Sequence, residues 1–204
     1  MKNKGCAAAA VVGGVILVII IAIAGWGVSK YNSLVTKDQA VQKVWGDVET
    51  VYQKRANLIP NLERTVKSYA KFEKETLTSV VEARAKATSV NIDPTNMTEA
   101  DLQKFQAAQG QLSGALGRLM MVVEKYPDLK ADQQYINFQR EYTAIENSIR
   151  METVNYNAAA QSYNTYRNVF PNNVVANFTN FKEKPYFKAD AGAEKAPEAF
   201  QDNE

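Results

Sequence analysis

The hydrophobic positions divide the chain into one unbroken apolar run and a longer region of periodic stripes. Ala7 to Val28 (AAAAVVGGVILVIIIAIAGWGV) carries no charged or strongly polar side chain and follows the basic leader Met1-Lys2-Asn3-Lys4. As a helix rising about 1.5 Å per residue it reaches roughly 33 Å, against a hydrocarbon core of about 30 Å. From Tyr31 the spacing becomes heptad-like. Tyr31, Asp38, Trp45 and Tyr52 share one register, Leu34, Val41, Val48 and Arg55 the other, and Val44 and Val51 widen the stripe as a buried bundle helix requires. Asp38 and Arg55 interrupt it and read as rim or end positions. No breaker separates Val28 from Tyr31, so the first helix of the domain is expected to leave the span directly.

Pro60 predicts a tight turn near Asn57–Pro60 and the start of a second helix, because proline fits a first helical position and clashes in an interior. One long helix kinked at Pro60 is the alternative. The second stripe runs Leu62, Val66, Tyr69, Phe72, Leu77, Val80 and Ala83 or Ala87. Ser89 to Asn96 (SVNIDPTN) is a loop. Thr98 followed by Asp101 resembles a capping box and starts a third helix, striped by Leu102, Phe105, Leu112, Leu116, Leu119, Met120 and Val123. Gln109 lapses from that stripe, and Gly110, Gly114 and Gly117 are expected to let a neighbouring helix approach closely.

A fourth helix begins near Asp132 and meets no breaker until Pro171. On one of its faces Tyr156-Asn157 and Tyr163-Asn164 repeat at seven residues. They read either as a binding strip of rings and amides for a partner, or as core tyrosines with hydroxyls at the core edge. Beyond Pro171, Phe178, Phe181, Tyr186 and Phe187 interleave with Lys182, Lys184 and Lys188. That segment either lies at a membrane interface or folds back over one end of the bundle, and the second is the expectation. The fold class that follows is all-α: an N-terminal transmembrane helix, then an antiparallel up-down four-helix bundle with long helices. The divisions are a leader over 1–6, a span over 7–28, the bundle over 29–187 and a small, polar, disordered tail over 188–204.

Composition narrows the function more than the fold. Lys2 and Lys4 are the only charges before residue 29, leaving 22 basic and 22 acidic residues in a formally neutral domain. Such a domain has no electrostatic footprint for nucleic acid. There is no histidine, and the single Cys6 precedes the span, so zinc sites, Ser-His-Asp triads, Cys-His dyads and disulfides are excluded from the domain. Cys6 is not placed as a lipoprotein cysteine, since the apolar run follows it. Glycine-rich phosphate loops are absent. Glu124, Asp128 and Asp132 are close in sequence but fit a helix terminus with solvated acids better than a catalytic cluster. No catalytic residue, metal or cofactor is expected.

The span itself carries two readings. Ala22-Ile23-Ala24 before Gly25 imitates a cleavage site, yet the apolar run outlasts a signal h-region of about 7–15 residues and Trp26 extends it to an interfacial position. An uncleaved signal anchor is the expectation. Ala9/Gly13 and Ala10/Gly14 form two overlapping small-xxx-small pairs, a surface for self-association in lipid.

These residues resemble the LemA family. The resemblance is carried by Tyr31-Asn32-Ser33-Leu34-Val35, Trp45-Gly46-Asp47-Val48-Glu49, Gln53-Lys54-Arg55-Ala56-Asn57-Leu58-Ile59-Pro60-Asn61-Leu62 and Val66-Lys67-Ser68-Tyr69-Ala70. Ile145-Glu146-Asn147, the two Tyr-Asn pairs and Phe170-Pro171-Asn172-Asn173 continue it. It covers roughly residues 28–187, and the Leu-Ile-Pro-Asn-Leu block is its most specific part. It implies a membrane-anchored four-helix bundle and supplies no catalytic residue. Arg150-Met151-Glu152-Thr153-Val154 departs from the basic run that members often carry before the first Tyr-Asn pair.

The expected function is therefore association. One form is a structural or scaffolding component of the bacterial membrane, with the lipid bilayer and further copies of itself as partners. The other is an adaptor that binds an envelope protein or peptide along Tyr156, Asn157, Tyr163 and Asn164. A carboxylate enzyme would need a cleft holding several acids. The expected location is the bacterial cytoplasmic (inner) membrane in a single pass. Lysines on both flanks leave the positive-inside count undecided, and the short basic leader favours an extracytoplasmic domain.

Overall fold

The computed structural model describes residues 3–69 and 72–188, with side chains from residue 11 onward. The expected tail after Lys188 lies outside the described residues. Those described form helices and no strand: α1 (Asn3–Lys67), α2 (Lys74–Ser89), α3 (Glu99–Val123), the single turn α4 (Pro127–Lys130), α5 (Gln133–Asn168) and α6 (Asn172–Phe178). Residues 181–188 follow as extended chain.

The turn expected at Asn57–Pro60 does not form. α1 is one helix of 65 residues, about 98 Å long, with Pro60 inside it. Proline lacks the N–H that would bond the carbonyl four residues back, which leaves Ala56 O without its helical donor. Arg84 of α2 supplies one, donating from Nε to Ala56 O at 2.9 Å. The chain breaks after Lys67 instead. There the amides of Ser68 and Tyr69 reach back three residues, to Thr65 O at 3.2 Å and Val66 O at 3.1 Å, and tighten the last turn.

This repair makes a checkable double-mutant cycle. Arg84→Met is expected to lower stability by about 1.5–3 kcal/mol, the range for a hydrogen bond to a charged group. In a Pro60→Ala background the backbone amide of residue 60 satisfies Ala56 O, so the same change should lose at least half its effect in urea unfolding. Equal effects in both backgrounds would show that Arg84 does not compensate Pro60.

The other boundaries follow the expected chemistry. Asp101 N donates to Thr98 Oγ1 at 3.2 Å and Thr98 N donates back to Asp101 Oδ2 at 3.1 Å, a reciprocal capping box. Asp132 caps α5 by accepting from Gln134 N at 2.7 Å and Tyr135 N at 3.3 Å. α5 then runs 36 residues, about 54 Å.

α5 lies along α1 in the opposite direction: Lys37 meets Ser162, Arg55 meets Glu146 and Tyr69 meets Asp132. α2 and α3 form a second close pair seamed by Ala83, Ala87 and Ala115. Gly110, Gly114 and Gly117 do not serve that seam. A Cβ added at any of them would meet nothing within 4 Å, so they face open space.

Two apolar compartments hold the pairs together. One contains Leu34, Val41, Trp45, Val48, Leu102, Phe105, Tyr156, Tyr163 and Phe187. Its centre is Trp45, only 1% exposed, with the rings of Phe105, Tyr156 and Phe187 at 5.2, 5.6 and 6.1 Å. The other contains Ile59, Leu62, Val66, Leu112, Leu116, Leu119, Tyr135 and Phe138. Arg55 lies between them along α1. It is buried, as is Asp38, so neither is the rim residue its place in the stripe implied.

Candidate functional site

Four features of the fold bear on function, and the first is the span. Val11 to Ile23 leave their side chains 50–66% exposed wherever the residue is large and apolar, the opposite of the buried stripe that begins at Leu34. α1 is thus a candidate membrane span at one end and a core helix at the other. Gly13 and Gly14 sit bare on that exposed length, with nothing within 4 Å of either. Ala9 and Ala10 belong to the same helix, and their side chains lie outside the described residues.

The second is a polar layer. Arg55 Nη1 donates to Ser113 Oγ at 2.6 Å and to Glu146 Oε1 at 2.9 Å. Its Nη2 donates to Gln109 Oε1 at 2.6 Å and to the backbone O of Gln109 at 3.2 Å. The guanidinium carbon lies 5.0 Å from the centre of the Tyr52 ring, and Gln109 Nε2 donates onward to Ala87 O at 3.3 Å. Three helices, α1, α3 and α5, therefore meet at one planar fork, which only arginine can present, and Gln109 extends the layer to α2. A buried charge inside an apolar stripe fixes register, since a one-turn slip would strand it.

The third is the Tyr-Asn strip, which is engaged by the chain's own C-terminal segment. Asn157 Nδ2 donates to Phe187 O at 3.0 Å and its Oδ1 accepts from Phe187 N at 2.9 Å. Asn164 repeats the pattern on Lys184, donating to its O at 2.8 Å and accepting from its N at 2.9 Å. A side-chain amide has the donor–acceptor pair of a peptide, so each asparagine closes a two-bond ring on extended backbone. The spacing is matched. Seven residues of helix rise about 10.5 Å, and three residues of extended chain span about 10 Å. The Tyr163 hydroxyl sits at the core edge, where it donates to Lys182 O at 2.8 Å, whereas the Tyr156 hydroxyl is buried and donates to Met97 Sδ at 3.4 Å; the two residues are 1% and 0% exposed.

Lys184 fastens this strap. Its Nζ pairs with Asp38 Oδ1 at 2.7 Å and donates to Pro94 O at 3.0 Å and Thr95 O at 3.1 Å, spending all three protons. One side chain ties the strap to α1 and to the loop before α3. The signal for it in the sequence is the alternation of lysine with aromatic residues over 181–188, which shows an amphipathic extended segment but not its partner.

The fourth is the carboxylate trio near α4. Asp132 is spent on the α5 cap and accepts from Tyr69 Oη at 3.0 Å, while Glu124 pairs with Lys130. Among the described residues no group of three His, Cys, Asp or Glu could hold a metal ion.

The model of the LemA family matches residues 44–199, a stretch that includes the Arg55 layer, both asparagines and the strap. The chain belongs to the LemA family. It is 27% identical to each of two proteins called magnetosome protein MamQ (1 and 2) in Paramagnetospirillum magneticum, covering 85% of this chain and 71% of theirs. It is 26% identical to protein LemA of Metamycoplasma hominis, covering 79% of this chain and 70% of that one. Magnetosome protein MamQ of Magnetospirillum gryphiswaldense is 26% identical over 78% of this chain and 64% of its own.

Within this LemA protein the buried tyrosines impose a pH limit. Burial pushes the Tyr163 hydroxyl from 10.0 up to about 12 and raises Tyr156, Tyr135 and Tyr142 in the same direction. The unfolded chain therefore releases these protons first, and it binds fewer than the native state once the pH passes 10. Their contribution to stability is complete below pH 10 and declines from there through about 12. Urea midpoints should be insensitive to these groups up to pH 10 and fall above it, together with tyrosinate absorbance. A midpoint that held steady above pH 10 would contradict the burial.

Proposed function

We propose that this LemA family member is a non-enzymatic, single-pass component of the bacterial cytoplasmic membrane that acts as a structural scaffold by associating with copies of itself. The observation that carries the reading is the continuity of α1. The same helix that presents bare Gly13 and Gly14 on its exposed apolar length also contributes Trp45 and Arg55 to the interior of the domain. With no hinge between them, the geometry of span–span association passes directly into the orientation of the domains. Small residues let such helices approach closely in lipid, where packing replaces the hydrophobic effect as the driving force. None of the relatives' names carries a reaction or a substrate.

The pairwise directions of α1 with α5, and the shared compartments, support an up-down four-helix arrangement in which α2 and α5 run back toward the span. The domain is placed on the extracytoplasmic side, on the strength of the short basic leader before the apolar run.

A second reading is favoured by the asparagine rings. A strip that holds extended backbone by amide pairing suits an extended peptide of a partner envelope protein, admitted when residues 181–188 leave it.

Oxidative crosslinking of Cys6 in isolated membranes tests the scaffold reading. Disulfide-linked dimers are expected on non-reducing gels, absent in Cys6→Ser and several-fold weaker in Gly13→Ile/Gly14→Ile. Monomer alone in the unaltered chain would count against it.

A further inference from the structure

Outside the span, the large exposed apolar side chains are mostly scattered, but four fall between residues 169 and 178. Phe178 is 93% exposed, Phe170 77%, Val174 57% and Val169 53%. Asn173 N donates to Val169 O at 3.2 Å across the corner that joins α5 to α6, a tight turn in which Val169 is extended and the Phe170–Pro171 peptide is cis. In α6 the buried residues are Asn172 and Ala176. Val174 and Phe178 follow each of these by two residues, about 200° around the helix, and so face away from the core. Four large apolar groups on the outer face of a corner are not explained by packing within this chain.

The position of the corner says what covers it. The last turns of α5 meet α1 where it leaves the span: Lys30 and Lys37 Nζ lie 5.9 and 5.4 Å from the centre of the Tyr166 ring. The Tyr31 ring lies 5.8 Å from Phe181, and Ala176 is buried in the compartment that includes Leu34. The corner is therefore level with residues 30–34 of α1. Val28, the last residue of the apolar run, is only about 3–9 Å from that level along the helix axis. An interfacial apolar face sinks about 5–10 Å into the headgroup–acyl boundary, which closes this gap.

We propose that the α5–α6 corner, through Phe170, Val174 and Phe178, seats in the interfacial region of the bilayer that α1 crosses and gives the domain a second membrane contact. The inference rests on the membrane-anchored reading of α1. It goes further in fixing the attitude of the domain, since one straight helix leaves rotation about its own axis free and a second contact does not. The phenylalanine rings supply the apolar body, and Lys30 supplies a cation at headgroup level.

The test uses the full chain with Cys6→Ser, carrying one environment-sensitive fluorophore at F178C, V174C, V28C or T50C. Each protein is reconstituted in phosphatidylcholine–phosphatidylglycerol vesicles with nitroxide-bearing lipid. Position 28 marks the span, and position 50 is an exposed site about 33 Å farther along α1. The labels at 178 and 174 are expected to be blue-shifted and quenched several-fold more than the label at 50, approaching the one at 28. If 28 is quenched while 178 and 174 match 50, the corner contact is overturned and the anchor stands. If 28 is not quenched either, the anchored reading fails and this inference with it.

Discussion

Replacing Lys184 with methionine is expected to destabilise the domain by about 3–5 kcal/mol, the effect of leaving one member of a buried ion pair alone. Lys184 is 4% exposed and its partner Asp38 8%, so the surviving carboxylate has little water to turn to. The loss concentrates at the strap. With Nζ gone, residues 181–188 lose their tie to α1 and to the loop before α3, and are held by the amide rings to Asn157 and Asn164, by Phe181 and Phe187 on the core, and by exposed pairs such as Lys188–Glu99. Trypsin should then cut after Lys182 and Lys188 much faster than in the unaltered chain, at protein concentrations where the helices remain folded by circular dichroism. Asp38→Leu/Lys184→Met should recover most of the stability, because replacing both charges removes the unpaired group instead of creating one. A single variant that unfolds like the unaltered chain, with unchanged cleavage, would show that the pair does not hold the strap.

The Arg55 layer yields an asymmetric prediction. Arg55 has 2% of its side chain exposed and Glu146 31%, so the two ends of this pair are not equivalent. Glu146→Met leaves a guanidinium buried among Gln109, Ser113 and Tyr52 with no counter-charge, and should lower stability by about 3–5 kcal/mol. Arg55→Met leaves a carboxylate that can hydrate, and its effect should be nearer about 1.5–3 kcal/mol, the range for charged hydrogen bonds lost. Arg55→Lys restores the charge but not the fork, so it should fall between Arg55→Met and the unaltered chain. Denaturant midpoints of the three variants decide the order. If Arg55→Met proved the more damaging change, burial of the arginine would not be the governing factor.

Where the sequence was legible, local chemistry decided the structure. The Thr98–Asp101 capping box, the Asp132 cap and the uninterrupted periodicity of α5 each depend on residues within a few positions of one another. Where it was not, the deciding partner is remote. Pro60 is tolerated inside α1 because Arg84 satisfies Ala56 O, and nothing near Pro60 announces that arginine. Asp38 and Arg55 resemble rim charges until Lys184 and Glu146 arrive from distant parts of the chain. The Tyr-Asn repeat was visible as a strip on one helix face, but not its occupant. Matching its pitch to extended chain requires knowing that residues 181–188 are extended and lie on that face.

The same logic divides the C-terminal aromatic segment. Phe181 and Phe187 cover the core, as a segment folded back on the bundle should, while Phe170, Val174 and Phe178 face outward at the level of the span. Alternation of aromatic and basic residues fits both roles, and only the path of the chain separates them.

We propose above that the span and the helix continuous with it assemble copies of this protein. Light scattering of the purified full chain in mild detergent, across a range of concentrations, tests it most directly. A mass above that of one chain, rising with concentration and reduced toward one chain by Gly13→Ile/Gly14→Ile, is the predicted result. A single-chain mass at every concentration would contradict it.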